Sequence, residues 1–217
     1  VTAGALALGV PIALLTAIDL AFFCPKNLYR IVKPAVELLA GIPSVVYGFF
    51  GIVVLVPMVR ALGEPWDGSG NSMLTASILL AIMILPTIIQ LTSAAVKAVP
   101  NSYYEGSLAL GATDERSVFR ATVPAAKSGI LASVVLAIGR IVGETAALLF
   151  TAGTVADMPK HFLLSSGRTL AVHMYQLSLE GLHYDQAYAT GVVLLLLVLG
   201  LNSLSSLISR KIGGKAS

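Results

Sequence analysis

The chain has 217 residues, of which 56% are hydrophobic and only 12% charged, with a mean hydropathy of +0.87. Soluble domains carry about 25% charged residues, so this composition excludes an ordinary water-soluble domain. The net charge of +3 is scattered among connections rather than gathered on one face, which excludes a nucleic-acid-binding surface. Its apolar runs approach the ~20 residues that cross a bilayer core as helix, and they do not alternate as the strands of a membrane barrel would. The expected fold class is an all-α polytopic transmembrane helical bundle, one domain over residues 1–217 with about five spans. The chain is apolar from Val1 and lacks an initial methionine, so a first helix is expected upstream.

The first span runs from Val1 to Phe23, broken by Pro11 and carrying Asp19 near its end. Cys24 cannot form an internal disulfide, being the one cysteine, and reads as a small apolar residue near a helix end. The second span runs from Pro34 to Val59. Within it Gly41, Gly48 and Gly51 with Pro43 allow close packing and a bend, and Pro57 a kink. Glu37 beside Lys33, like Asp19, belongs at the interface. The connection 60–72, with Gly63, Pro65, Trp66, Gly68 and Gly70, suits an interfacial turn. Met73 to Val96 forms the third span, with Pro86 as a kink, and Ser128 to Gly153 the fourth. The connection 154–186 holds Asp157, His161, His173, Glu180, His183 and Asp185. Its histidines match no compact ligand spacing, so no metal site is expected. Ala187 to Ile208 is the last span.

Lysine and arginine fix the expected orientation. One side carries Lys26, Arg30, Lys33, Lys97, Arg116, Arg120, Lys127, Arg210, Lys211 and Lys215, the other Arg60, Lys160 and Arg168. The basic side should be cytoplasmic, which places the C-terminus and the connection 97–127 inside.

That connection contains a polar stretch from Glu105 to Pro124, EGSLALGATDERSVFRATVP. Ser102 to Leu110 suits a short helix with Glu105 in its first turn, where a carboxylate favours the positive dipole end, and Gly111 can end it. Tyr103 and Tyr104 just before it read as interface anchors. Two short helices at a bend would make a rigid knob for a cleft on another protein; an amphipathic surface loop is the plainer alternative. The frame Glu105-Gly106-Ser107, three residues, Gly111, nine residues and Ala121-Thr122-Val123-Pro124 resembles the EAA motif of ATP-binding-cassette importer permeases. That motif runs Glu-Ala-Ala, three residues, Gly, nine residues, Ile-x-Leu-Pro. The departures at 106, 107, 121 and 123 are all small or apolar. The resemblance implies a type I importer permease fold in which Glu105, Gly106, Ser107, Gly111 and Pro124 couple to a separate ATPase.

Within the fourth span Arg140 and Glu144 are four residues apart, hence on one helical face. An arginine near mid-depth costs at least ~2.5 kcal/mol, so it should face the bundle interior or water. It lines a path or, in the blander reading, pins two helices. Gly139-Arg-x-x-Gly-Glu-Thr145, Gly41-Ile-Pro-Ser-Val-Val-Tyr-Gly-Phe-Phe-Gly51 and Leu85-Pro-Thr-Ile-Ile89 are similar to the phosphate-specific permeases of the same superfamily. The first string leans toward one of their two paralogous subunits and the second toward the other. This resemblance implies a permease in a bacterial or archaeal cytoplasmic membrane. Its implied partners are ATPase subunits, a second related permease subunit and an extracytoplasmic phosphate-binding protein. ATP and Mg would be bound by the ATPase, with no cofactor in this chain.

A guanidinium fork matches phosphate oxygens. Glu144 beside it could accept the proton that phosphate carries and sulfate lacks, so it would disfavour fully deprotonated oxyanions. The tail Gly213-Gly214-Lys215-Ala216-Ser217 fails the Gly-x4-Gly-Lys-Ser/Thr frame of an ATP-binding loop, so the chain is not expected to be an enzyme. The alternatives are a permease for molybdate or sulfate, and an ion-coupled secondary transporter, for which the inverted repeats are not visible. An intramembrane hydrolase would need a paired His-Glu or Ser-His motif that the spans lack.

Overall fold

In the computed structural model, which describes residues 1–63, 70–156, 163–181 and 183–213, the described residues form helices and turns without a strand. Helix α1 (Thr2–Ile18) runs on through a π-helical turn, Asp19–Phe23. Then come α2 (Lys26–Gly41), α3 (Ser44–Phe50), a second π turn (Gly51–Leu55) and α4 (Val56–Gly63). A long α5 (Met73–Lys97) leads to the short α6 (Asn101–Ala109) and α7 (Asp114–Ser117), a third π turn (Val118–Thr122) and α8 (Val123–Ala125). The chain ends with α9 (Lys127–Val142), α10 (Ala146–Thr151), α11 (Leu170–Glu180) and α12 (Tyr184–Gly213). Pro65, Trp66, Gly68, Asp157, Lys160, His161 and Lys215 lie outside the described residues.

Among the described residues four stretches are long and apolar enough to cross a bilayer: Thr2–Phe23, Ser44–Leu62, Met73–Lys97 and Tyr184–Leu204. A fifth is the pair Asp114–Ala125 and Lys127–Val142, bent by 69°. The chain is a multi-pass membrane protein, as its composition requires. Burial separates the roles of the spans: 61% of the apolar window of α5 is inside the bundle, against 6% for α12. Helix α5 is therefore the axis, and Leu79, Leu80, Met83, Ile84 and Ile88 along it are fully or almost fully buried. Leu195, Leu196 and Leu199 on α12 face outward.

Small residues let neighbours approach that axis, because lipid gives apolar side chains little reason to leave it and backbone proximity supplies the packing. Ala5, Gly9, Ala13 and Ala17 make a buried stripe at four-residue spacing on α1. A Cβ on Gly4 would meet Ser77, one on Gly9 would meet Ile84, and the Ser93 hydroxyl donates to Ala17 O (3.1 Å). The rising order on both helices makes α1 and α5 parallel. Helix α9 runs the other way: Gly129 abuts Ala95, and the Thr92 and Ser133 hydroxyls share a hydrogen bond of 3.0 Å.

Two expected spans are broken instead of continuous. The one expected over Pro34–Val59 divides at Ile42-Pro43, where both residues are extended (φ −72°, ψ 126° and φ −60°, ψ 143°). Pro43 has no N–H to continue the ladder and restricts the residue before it. Pro34, expected to open the span, lies inside α2. The span expected over Ser128–Gly153 stops at Val142 and resumes at Ala146.

Candidate functional site

Two constructions stand out, a knob at the lysine-rich end of α5 and a pair of helix breaks within the bundle. The knob begins at Pro100, whose extended backbone (φ −56°, ψ 136°) precedes α6. Proline suits a helix start because its missing N–H would lack a partner there in any case. Gly111 ends α6 in the left-handed region (φ 84°), its N–H bonding Leu108 O (2.8 Å) while Ala112 N bonds Ser107 O (3.2 Å). Thr113 then caps α7, accepting from Arg116 N (3.4 Å), with Asp114 and Glu115 in the first turn where the helix dipole favours them.

Side chains bind the two helices to each other. Tyr104 Oη donates to Asp114 Oδ1 (2.9 Å), and Ser117 Oγ donates to Ser107 Oγ (3.0 Å). Ser117 and Val118 are buried beneath them. The hydrogen bond to Asp114 pushes the Tyr104 phenol above its usual range, with desolvation and the negative Asp114 and Glu115 adding to it. Tyr104 also stacks on Phe22 at the end of α1, with centroids 6.4 Å apart. The expected interface anchor is thus a strut between bundle and knob.

Glu105, Gly106, Gly111 and Pro124 are all exposed, and a Cβ on Gly106 or Gly111 would meet nothing within 4 Å. Ser107 is half-buried, its hydroxyl occupied by Ser117. Glu105 corrects one expectation: α6 starts at Asn101, so the carboxylate stands in the second turn and not the first. The sequence reading passed over Leu110, which is 91% exposed at the tip. An apolar residue directly before a helix-ending glycine was the available signal.

The helix breaks sit side by side. Gly48 packs so closely on α10 that a Cβ would lie 2.7 Å from Phe150 Cδ2 and 3.2 Å from Ala147 Cα. One on Gly51 would touch Thr151, and Phe49 stacks on Phe150 at 5.1 Å. Helices α3 and α10 therefore run parallel, and each begins within a few residues of its break. Tyr29 of α2 reaches Lys97 and Gly51 abuts Leu79, which puts the Ile42-Pro43 break level with the middle of α5. Backbone groups freed at such depth need partners. Tyr47 Oη donates to Leu39 O (2.8 Å) across one break, and Glu144 Oε1 accepts from Ala147 N (3.2 Å) across the other. Tyr47 was not singled out by the sequence reading. Its place four residues after Pro43 was the clue.

This geometry corrects the expected Arg140–Glu144 pairing. The helix ends between them at Gly143 (φ −91°, ψ 3°), so they do not share a helical face, and no ion pair joins them. Arg140 is exposed, roughly 20 Å of helix rise from the start of α9. It has no hydrogen bond or ion pair with a described residue.

At the opposite end Arg168 donates to Thr154 O (2.6 Å) and lies 3.1 Å from His173 Nδ1. His183 is exposed. Among the described residues no group of three or more His, Cys, Asp or Glu could hold a metal ion. Burial first, then the Asp19 carboxylate, push the Cys24 thiol up, away from a reactive thiolate.

Residues 9–214 match the model of the binding-protein-dependent transport system inner membrane component family. A probable ABC transporter permease protein of Bacillus subtilis, YqgH, is 33% identical over 193 residues, 88% of this chain and 62% of its own length. The phosphate transport system permease protein PstC of Pasteurella multocida is 30% identical over 229 residues, 97% of this chain and 72% of its own. PstC of Mesorhizobium japonicum is 36% identical over 166 residues, 69% of this chain and 51% of its own. The chain thus spans about half to three quarters of the length of these relatives. Among solved structures, an inward-facing form of the MetNI methionine ABC transporter superposes with a TM-score of 0.71 at 20% identity, covering 97% of this chain and 88% of that one. At that identity the likeness establishes the fold, a type I importer permease bundle.

Proposed function

Because the chain belongs to the family of binding-protein-dependent transport system inner membrane components, we propose that it is the membrane-spanning subunit of an ATP-driven importer of inorganic phosphate. The PstC relatives, phosphate transport system permease proteins, support phosphate as cargo. The observation that carries the reading is Arg140, an exposed guanidinium half a turn short of the α9 break, with no hydrogen bond or ion pair to a described residue. A planar fork among apolar helices costs too much to keep without a use, and it matches the oxygens of an oxyanion. Glu144 stands on the same path as the residue that holds α10 in place.

The lysine-rich end is cytoplasmic in this reading, so the C-terminus and the Glu105–Pro124 knob are inside. A separate ATPase binds ATP and Mg and grips the knob through Glu105, Gly106, Ser107, Gly111 and Pro124. Closure of that ATPase pushes the knob. The push enters the bundle through Tyr104 on Phe22 and through the 69° bend into α9, which carries Arg140 half a turn before its end at Val142. A second related permease completes the path, and an extracytoplasmic binding protein delivers phosphate.

The test is co-purification with the ATPase, followed by phosphate uptake into vesicles with and without Arg140→Ala. Loss of uptake with assembly intact is expected. Unchanged uptake removes Arg140 from the path, and loss of assembly makes it a structural pin.

A further inference from the structure

A cavity of about 350 Å³ opens between α1, α2 and the lysine-rich end of α5, away from the helix breaks. Its polar lining is Tyr29, Lys33, Glu37, Gln90, Ser93 and Lys97, over an apolar floor that includes Leu20 and Val36. Lys33 and Lys97 both lie against the Tyr29 ring, 5.8 and 5.1 Å from its centroid, and Lys97 Nζ is 3.5 Å from Tyr29 Oη. The tyrosine thus gathers two ammonium groups from different helices at one mouth. Gln90 is exposed and makes no hydrogen bond with a described residue, so its amide donors face the cavity mouth without a partner among those residues. Ser93 gives its proton to Ala17 O.

One carboxylate opposes the cations. Glu37 Oε1 is 3.9 Å from Lys33 Nζ, but both side chains are more than half exposed, at 56% and 54%. Pairs so exposed hold weakly, and the carboxylate can swing to water when a stronger anion arrives. The net lining is two cations against one anion, with amide donors added and a volume several times that of a phosphate group.

We propose that this cavity binds a phosphate group, held by Lys33 and Lys97 and steadied by the Gln90 amide. Two sources present that chemistry at the end of a membrane helix: free inorganic phosphate and the headgroup of an anionic phospholipid. Clustered lysines at a membrane edge attract both. The site is independent of the Arg140 reading, being lined by other helices.

The test uses the full transporter in a maltoside detergent, which carries no phosphate of its own. In one arm inorganic phosphate is titrated by calorimetry; in the other, phosphatidylglycerol retention is counted by native mass spectrometry against phosphatidylcholine. Lys33→Gln with Lys97→Gln should weaken at least one arm about a hundredfold, about tenfold for each charge-assisted hydrogen bond lost. The arm that falls names the source. Lys33→Arg with Lys97→Arg should restore it, and Glu37→Gln should tighten it severalfold by removing the competing carboxylate. In an Arg140→Ala background the double glutamine variant should cause the same loss, which separates the fate of this site from that of the transport path. If neither arm responds to the double glutamine variant, or if Glu37→Gln weakens binding, the cavity is not a phosphate site.

Discussion

Gly48→Ala is the sharpest probe of the seam between the two broken helices. The added methyl would lie 2.7 Å from Phe150 Cδ2, 3.2 Å from Ala147 Cα and 3.3 Å from Ala146 O. Phe150 could swing aside, but it is stacked on Phe49 at 5.1 Å, and the other two neighbours are backbone. Overpacking costs about 1–3 kcal/mol, and with backbone in the way the upper part applies, about 2–3 kcal/mol. Alanine returns up to about 1 kcal/mol of helix propensity, leaving a net loss of about 1–2 kcal/mol. For a chain of this size that lowers Tm by roughly 2–8 °C. The assay is thermal unfolding of the assembled transporter in detergent, with Gly106→Ala as control. Gly106 has nothing within 4 Å of a Cβ and sits inside α6, so alanine there should hold or raise Tm. A Gly48→Ala protein as stable as the parent would refute the close approach of α3 and α10, and with it the paired breaks.

Gly111→Ala meets no neighbour but must adopt φ 84°, which costs about 1 kcal/mol; transport should fall more than stability does, measured as uptake against Tm. Glu144→Ala strands the Ala147 N–H within the bundle and should cost about 1–3 kcal/mol in unfolding. Glu144→Gln keeps an acceptor and should stay assembled. If it also moves phosphate normally and still refuses sulfate, Glu144 has no part in proton discrimination. The Tyr104–Asp114 bond raises the phenol's folded pKa above 10.0, so its stabilisation is complete below that value and fades only as pH climbs through the raised one. Difference titration of tyrosinate absorbance against Tyr104→Phe should show a late-ionising phenol, and an ordinary one would disprove the strut.

Composition alone made the bundle legible, because lipid demands long apolar helices and the chain has them. The knob was legible through Gly111, whose spacing from Glu105 marks a turn that the left-handed backbone confirms. The break at Ile42-Pro43 was legible only as a bend at Gly41 and Pro43, and the one at Gly143 not at all. Hydropathy averages over ~19 residues, so Gly143-Glu144-Thr145 disappeared into the apolar runs around it, and Pro34–Val59 read as one span. Helical periodicity then carried Arg140 and Glu144 onto one face, a step valid only while the helix lasts. The partners that repair the breaks were invisible for a related reason. Tyr47 reaches back eight residues to Leu39 O across non-helical backbone, and no periodicity encodes that.

Coupling requires the knob to reach a cytoplasmic motor, and Leu110 offers the most direct measurement. Leu110→Cys in a Cys24→Ser background places one thiol at a position 91% exposed. A membrane-impermeant maleimide should label it in inverted vesicles and not in intact cells, and bound ATPase should protect it. Labelling from the outer face would put the knob beyond any cytoplasmic ATPase and contradict the mechanism.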